Sequence, residues 1–144
     1  MTKTIQTSIN IKASPKKVWE ILMNFKEYPN WNRFITSIVG SAEVGKKIEA
    51  HIIPKGSKGM TFKPVILVRK EHQELKWVGN LLFKGLFDGE HQFIIKDNGD
   101  GTVLFEQNEK FTGLLVGIFP KSLYVNSKAG FEVMNLALKE RAES

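Results

Sequence analysis

The sequence predicts an α+β fold in which a curved antiparallel sheet of six or seven strands wraps around one long C-terminal helix, with two short helices after the first strand. Three observations predict it. Residues 3–13 alternate apolar and polar with period two. Between residues 35 and 111, alternating segments follow one another across short links rich in Gly, Asp and Pro, as antiparallel neighbours do. From Pro120 onward the apolar period changes to about 3.6.

In the first strand Ile5, Thr7, Ile9 and Ile11 share one face, with polar residues between them. Ser14-Pro15 ends it and opens a helix, serine as the cap and proline at the first helical position, where its missing N–H costs nothing. Val18, Ile21, Leu22 and Phe25 form the apolar stripe of that helix, flanked by Trp19 and Met23, and Trp19 reads as helix packing. Tyr28-Pro29 stops it, because a residue before proline avoids the helical region. Trp31-Asn32-Arg33-Phe34 then reads as a short second helix or turn.

Strands are expected at 35–39, 47–53, 60–70, 75–83, 89–96 and 102–111, with hairpin-like links at 41–45, 54–59, 71–74 and 97–101. In the final helix Leu123, Ser127, Phe131, Met134 and Leu138 fall on one face, with Gly130 and Ala137 beside them. Its charged residues, Lys121, Lys128, Glu132, Lys139 and Glu140, fall elsewhere. No repeat, low-complexity segment or linker interrupts the pattern, so residues 1–144 are expected to form one domain.

A chain of 144 residues with 42% apolar and 25% charged residues can bury a core without staples, in the manner of a soluble globular protein. The absence of cysteine excludes disulfides, thiolate catalysis and cysteine-based metal sites, and fits a cytoplasmic location. The opening MTKTIQTSINIK has no continuous apolar stretch and is not read as a signal peptide. No apolar run approaches the about 20 residues that span a bilayer. The net charge is +6, but the lysines (Lys16/Lys17, Lys46/Lys47, Lys55/Lys58) are scattered and no nucleic-acid motif accompanies them. They read as a solvated surface with no specific nucleic-acid partner, and leave transient contact with a membrane surface open.

The most informative stretch is 85–113, where two alternating strands flank a Gly/Asp turn. Phe93, Ile95, Val103, Phe105 and Phe111 share their strand faces with His91, Gln107 and Glu109. Burying an unpaired polar group costs roughly 1–3 kcal/mol, so polar groups threaded into an aromatic face suggest a lined cavity. With Asp97 to Gly101 as the turn, Phe93 would face Phe105, His91 would face Gln107, and Glu109 would lie opposite Gly89. His91, Gln107 and Glu109 would then cluster at the end of the hairpin remote from its turn, with the glycine leaving room beside Glu109.

Several stretches together carry a family resemblance. ASPKKVWEIL at 13–22, YPNWN at 28–32, GLFDGEHQF at 85–93, GDGT at 99–102, EKFTGLL at 109–115 and GFEVMNLALKERA at 130–142 cover nearly the whole chain. They resemble the START-like, birch-pollen-allergen-like (SRPBCC) superfamily, in its bacterial polyketide cyclase/dehydrase branch. The resemblance implies a helix-grip fold with a cavity between sheet and long helix for apolar molecules such as lipids, sterols, quinones, polyketides and aromatic hormones. Some members are enzymes, many only bind or carry, and no invariant catalytic motif comes with the fold.

The leading reading is therefore a binding protein for an apolar or amphipathic small molecule, needing no cofactor. Trp31 and Arg33 lie where the second helix would cap the cavity mouth, with Phe34 counted among the ligand-binding residues; Arg33 suits a carboxylate, phosphate or hydroxyl, or reads as a surface arginine paired with a local acid. Trp77, Phe83, Phe87, Phe93, Phe105, Phe111, Phe119, Phe131 and Met134 are the apolar lining candidates, and each also reads as plain core. His91, Gln107 and Glu109 are the polar ones. The alternative is a cyclase- or dehydratase-type enzyme using His91 and Glu109 for acid–base chemistry, set against simple mutual hydrogen bonding. A second alternative is a protein-interaction or assembly module. GLLVGIFP at 113–120 reads either as a gate at the cavity mouth or as packing at the helix start. No metal site is expected, since His51, His72 and His91 lie apart and no HxH or HExxH spacing occurs. The GDG turn at 99–101 joins strand to strand and is no phosphate loop, and there is no GxSxG elbow.

Overall fold

The computed structural model describes residues 2–144, and within them the helix-grip arrangement is present. Strand β1 (Thr2–Ile11) leads into α1 (Pro15–Met23), a 3-10 turn (Phe25–Glu27) and α2 (Tyr28–Trp31). Seven strands follow: β2 (Ile35–Val39), β3 (Glu49–Ile52), β4 (Met60–Phe62), β5 (Val65–Lys70), β6 (Glu74–Asn80), β7 (Asp88–Asp97) and β8 (Val103–Thr112). Helix α3 (Lys121–Glu143) closes the chain. Every strand pairing is antiparallel, in the orders β1-β8-β7-β6-β5 and β2-β3-β4.

The expected strand at 60–70 is two strands. Pro64 has no N–H to give to a ladder, and the chain breaks there between β4 and β5. The two sheets are nonetheless stitched together: Lys47 bridges Val65, and the Gly45 and Ile48 amides donate to Ile66 O and Pro64 O at 2.9 and 3.0 Å. The result is one bent wall around α3.

Ser14 caps α1 as expected, its Oγ accepting from the Lys17 amide at 3.1 Å. The helix ends earlier than the Tyr28-Pro29 signal, at Met23, and Pro29 instead sits in the first turn of α2, where it costs no hydrogen bond. Val18, Trp19 and Leu22 are buried against the rest of the molecule. Tyr28 is buried too; it donates from its hydroxyl to Leu22 O at 2.6 Å, and burial pushes its phenol well above the ordinary tyrosine range.

Helix α3 buries one face, including Tyr124, Ser127, Phe131, Met134, Asn135 and Leu138. At Gly130 the close approach of Phe34 requires glycine, since a Cβ there would run into the Phe34 ring. Its C-terminal end is tied to β1: Lys139 Nζ donates to Asn10 O at 2.9 Å, and the Lys12 amide donates to Glu143 at 2.8 Å. Those bonds, from Lys12 first and Lys139 second, hold the Glu143 carboxyl below its usual range. No helix of the described residues is long and apolar enough to cross a membrane.

Candidate ligand-binding site

A cavity of about 220 Å³ lies between α3 and the bent wall. Its helix side is Leu123, Ser127 and Phe131, one residue per turn of α3 at spacing four. Trp77, His91, Glu109 and Phe111 face it from β6, β7 and β8. Ala50, Ile52, Met60 and Phe62 face it from β3 and β4, and Phe34, Phe87 and Phe119 complete the lining. Phe87 stacks on Phe111 at 5.3 Å between ring centroids and touches Phe119 at 4.6 Å, so three rings form one cluster on the lining. Tyr124 supports that cluster: its ring meets Phe111 at 5.3 Å while its hydroxyl donates to Val116 O at 2.7 Å. Burial raises the Tyr124 phenol above its ordinary range.

The hairpin register differs from the expected one by two residues. Asp97 still pairs, with Val103, and the turn runs from Asn98 to Thr102, closed by the Asn98 amide on Thr102 O at 3.0 Å. Consequently Phe93 faces Gln107, not Phe105; His91 faces Glu109, not Gln107; and Gly89 faces Phe111, not Glu109. A two-residue slip keeps every side chain on its face. The interior set was therefore right and the partners were not. Gly89 does leave room for Glu109 diagonally, because a Cβ at Gly89 would collide with the Glu109 carboxylate.

Polar groups in this interior form one connected chain. His91 Nδ1 meets Glu109 Oε1 at 2.8 Å, and His91 Nε2 meets Gln107 Oε1 at 2.9 Å. The Gln107 amide nitrogen donates to Asn135 Oδ1 at 2.8 Å and to Phe131 O at 3.3 Å. The Asn135 amide nitrogen donates to Thr7 Oγ1 at 2.9 Å, and the Thr7 hydroxyl donates to Gln107 O at 2.6 Å. The carbonyls of Phe131 and Gln107 can only accept, which fixes the direction of every bond in the chain except the one between His91 and Glu109. His91 Nε2 must therefore carry a proton, since Gln107 offers it an oxygen. One further proton then lies between His91 Nδ1 and Glu109 Oε1, giving either an imidazolium–carboxylate or an imidazole–carboxylic acid pair.

This pair is boxed by aromatic rings. The imidazole stacks on Trp77 at 5.4 Å and packs against Phe93 at 4.7 Å and Phe131 at 4.9 Å. Both ring nitrogens are engaged. Glu109 Oε2 takes no hydrogen bond from the described residues, so the pair presents its unspent acceptor through the carboxylate.

Of the residues expected to form the site, Phe34, Trp77, Phe87, His91, Glu109, Phe111 and Phe131 line this cavity, as does Phe119. Phe93, Phe105, Gln107 and Met134 do not. They are fully buried and fill the space beside it, with Phe93 against Trp77 at 5.2 Å. Phe83 stands out in solvent on the β6–β7 loop. Trp31 and Arg33 are not at the cavity mouth; they line a separate cleft on the outer side of α3. The sequence reading missed the contribution of β3 and β4. Ala50/Ile52 and Met60/Phe62 carry a period-two signal, but nothing in it says which interior they face. Among the described residues no cluster of three or more His, Asp or Glu side chains offers a metal site.

Residues 2–136 match the family model described as polyketide cyclase/dehydrase and lipid transport. Among curated proteins none matches the chain. Solved structures share the fold across almost the whole chain. A START superfamily protein from Mycobacterium smegmatis is 17% identical, with 97% of each chain covered and a TM-score of 0.77. The Zhui aromatase/cyclase from Streptomyces sp. R1128 is 11% identical, with 99% of this chain and 94% of that one covered and a TM-score of 0.79. Norcoclaurine synthase from Thalictrum flavum is 13% identical, with 97% and 86% covered and a TM-score of 0.72. Identities this low carry the fold alone, but the family model spans nearly all of the sequence, and the chain belongs to the polyketide cyclase/dehydrase and lipid-transport family.

Proposed function

We propose that this protein binds a compact apolar or amphipathic molecule in the cavity between sheet and α3, with Glu109 and His91 orienting its polar end. The observation that carries this reading is a hydrogen-bonded His91–Glu109 pair set into a wall that is otherwise aromatic and aliphatic but for Ser127 and Asn80, the usual chemistry of a small-molecule site. Size narrows the ligand. The 220 Å³ void exceeds the roughly 150 Å³ apolar cavity that takes up benzene and falls below the about 300–1,000 Å³ of drug-sized sites. A single-ring aromatic or a short alkyl chain fits, as does the terminal part of a longer lipid or quinone. The test is native mass spectrometry of purified protein, followed by extraction and a panel of single-ring phenols, medium-chain lipids and short-chain quinones. One equivalent of such a compound, retained or taken up, is expected. A protein that binds nothing in the panel would sink the reading and favour an interaction module.

The acid–base alternative rests on the proton held between His91 Nδ1 and Glu109 Oε1, beside a free carboxylate oxygen. Turnover of a polyketide-like substrate that disappears in Glu109→Gln, with ligand uptake kept, would favour an enzyme over a carrier.

Unloading of the ligand at an anionic membrane surface is supported by two adjoining loops that carry the lining residues Phe87 and Phe119. The Leu114 and Leu115 amides donate to Gly85 O and Leu86 O at 3.2 and 3.0 Å, joining the loops. Together they expose Leu82 (86%), Leu114 (79%), Ile118 (75%) and Phe83 (61%), with Lys84 and Lys121 exposed on the same segments. Apolar tips with two exposed lysines on the same segments suit a negatively charged lipid surface. Sedimentation with phosphatidylglycerol vesicles, weaker with phosphatidylcholine and lost in a Leu114→Ser/Ile118→Ser variant, is the expected result. Equal behaviour of the variant would remove this role.

A further inference from the structure

On the far side of α3 from the cavity lies an open cleft of about 720 Å³, walled by α2 with the residues that follow it and by the outer face of α3. Two of its lining residues are anomalous. Trp31 and Asn32 are 9% and 3% exposed, and the indole Nε1–H of one and the amide nitrogen of the other are sealed from solvent without an acceptor. They are the two buried side-chain nitrogens or oxygens left unpartnered among the described residues. Such groups are rare in a folded protein because each costs stability, and they ask for an explanation.

Their placement is no accident of a loose loop. Asn32 Oδ1 is fully used, accepting from the Phe34 and Ile35 amides at 3.0 and 2.9 Å, which turns the chain out of α2 and leaves the amide nitrogen as the spare end. Trp31 is pinned against Tyr28 at 5.1 Å. Both spare groups are donors. Two guanidinium groups line the same cleft: Arg33, exposed and without an ion pair among the described residues, and Arg141, which gives one N–H to Glu27 at 3.2 Å. One carboxylate, Glu140, lies on the lining as well. The rest of the α3 wall is apolar, with Val133 and Leu136 half in solvent and Ala137 beside Val133.

Donors in excess beside an uncovered apolar strip describe the complement of a molecule with acceptor oxygens at one end and a hydrocarbon body. We propose that this cleft is a second binding site, taking the carboxylate of a small amphipathic acid on Trp31 Nε1, Asn32 Nδ2, Arg33 and Arg141 and its apolar body on Val133, Leu136 and Ala137. Reaching the sealed donors takes side-chain rearrangement at the cleft, a common accompaniment of binding. The site is separate from the cavity under the other face of α3 and does not depend on what that cavity holds.

The tryptophans give each site its own reporter. Trp77 lines the cavity, Trp31 lines the cleft, and Trp19 lines neither. In 15N-labelled protein the three indole N–H signals, assigned with Trp31→Phe and Trp77→Phe, are followed while 3-phenylpropionate is added, and then its neutral counterpart 3-phenylpropanol. The carboxylate is expected to shift the Trp31 signal saturably, and the alcohol at least tenfold more weakly. Asn32→Asp keeps the acceptor for the Phe34 and Ile35 amides, so the turn folds, but it removes the spare donor and adds a negative charge. It is expected to weaken the Trp31 response at least tenfold and leave any Trp77 response unchanged. Arg33→Gln should weaken it as well. A Trp31 signal that stays still, responds equally to the alcohol, or titrates identically in Asn32→Asp would overturn the proposal. A silent Trp77 signal bears only on the cavity.

Discussion

Replacing Gln107 by leucine is expected to lower the stability of the protein by about 2–4 kcal/mol, among the largest effects of any single change in the interior. Leucine is no smaller in volume than glutamine, so the loss is chiefly one of hydrogen bonds rather than volume. It strands the His91 Nε2–H and Asn135 Oδ1, both buried, at about 1–3 kcal/mol each. Against this stands the added burial of apolar atoms, about 1 kcal/mol, which does not close the gap. The midpoint of thermal unfolding should fall by roughly 10 °C. Chemical and thermal unfolding of the two proteins measure it directly. A loss below about 1 kcal/mol would mean the network contributes little, and the proton assigned to His91 Nε2 would lose its basis.

Ser127→Phe should act in the opposite way, sparing the fold and abolishing the binding. Ser127 faces the cavity, and its hydroxyl only bonds back to Leu123 O at 2.8 Å, so its removal orphans no other side chain. A benzyl group there projects into the void of 220 Å³. A ring needs roughly 150 Å³, leaving space for about two waters. Overpacking costs of about 1–3 kcal/mol are offset by contacts the void lacked, so stability should change little. Uptake of an apolar ligand should drop at least about 100-fold, equivalent to about 2.7 kcal/mol. Isothermal titration with the best ligand of the panel reads this. Undiminished binding would place the ligand outside the cavity.

What could be read from the sequence, and what could not, follows from which physical rule was local. The first strand, the Ser14 cap, the α3 face and the interior set of the long hairpin are written in periods of two and 3.6, and each appears where those periods put it. The register was not local. Asp97 has the composition of a turn residue, yet it extends β7, because the ladder gains a pair with Val103 while Asn98 and Thr102 close the turn themselves. Parity protected the face assignment and nothing protected the partner assignment. Trp31 and Arg33 failed for a different reason. Their chain order beside a helix was legible, but the side of α3 on which that turn packs depends on Phe34 filling the notch at Gly130, a contact nearly 100 residues apart. Phe83 looked like lining because aromatics usually are; its position in a seven-residue excursion between β6 and β7 put it in solvent instead.

The place of β1 at one edge of the larger sheet has a consequence for how the molecule comes into being. Its ladder partner is β8, with Thr7 opposite Gln107, and its remaining tethers reach Asn135, Lys139 and Glu143. A ribosome adding about 5–20 residues per second leaves this strand without its pairing for several seconds after it emerges. Contacts so distant in sequence also slow folding once the chain is complete. During that interval a segment of alternating isoleucines is open to pairing with other chains. Lys3 and Lys12 near its two ends, and Asn10 within it, are the kind of residues that discourage such encounters.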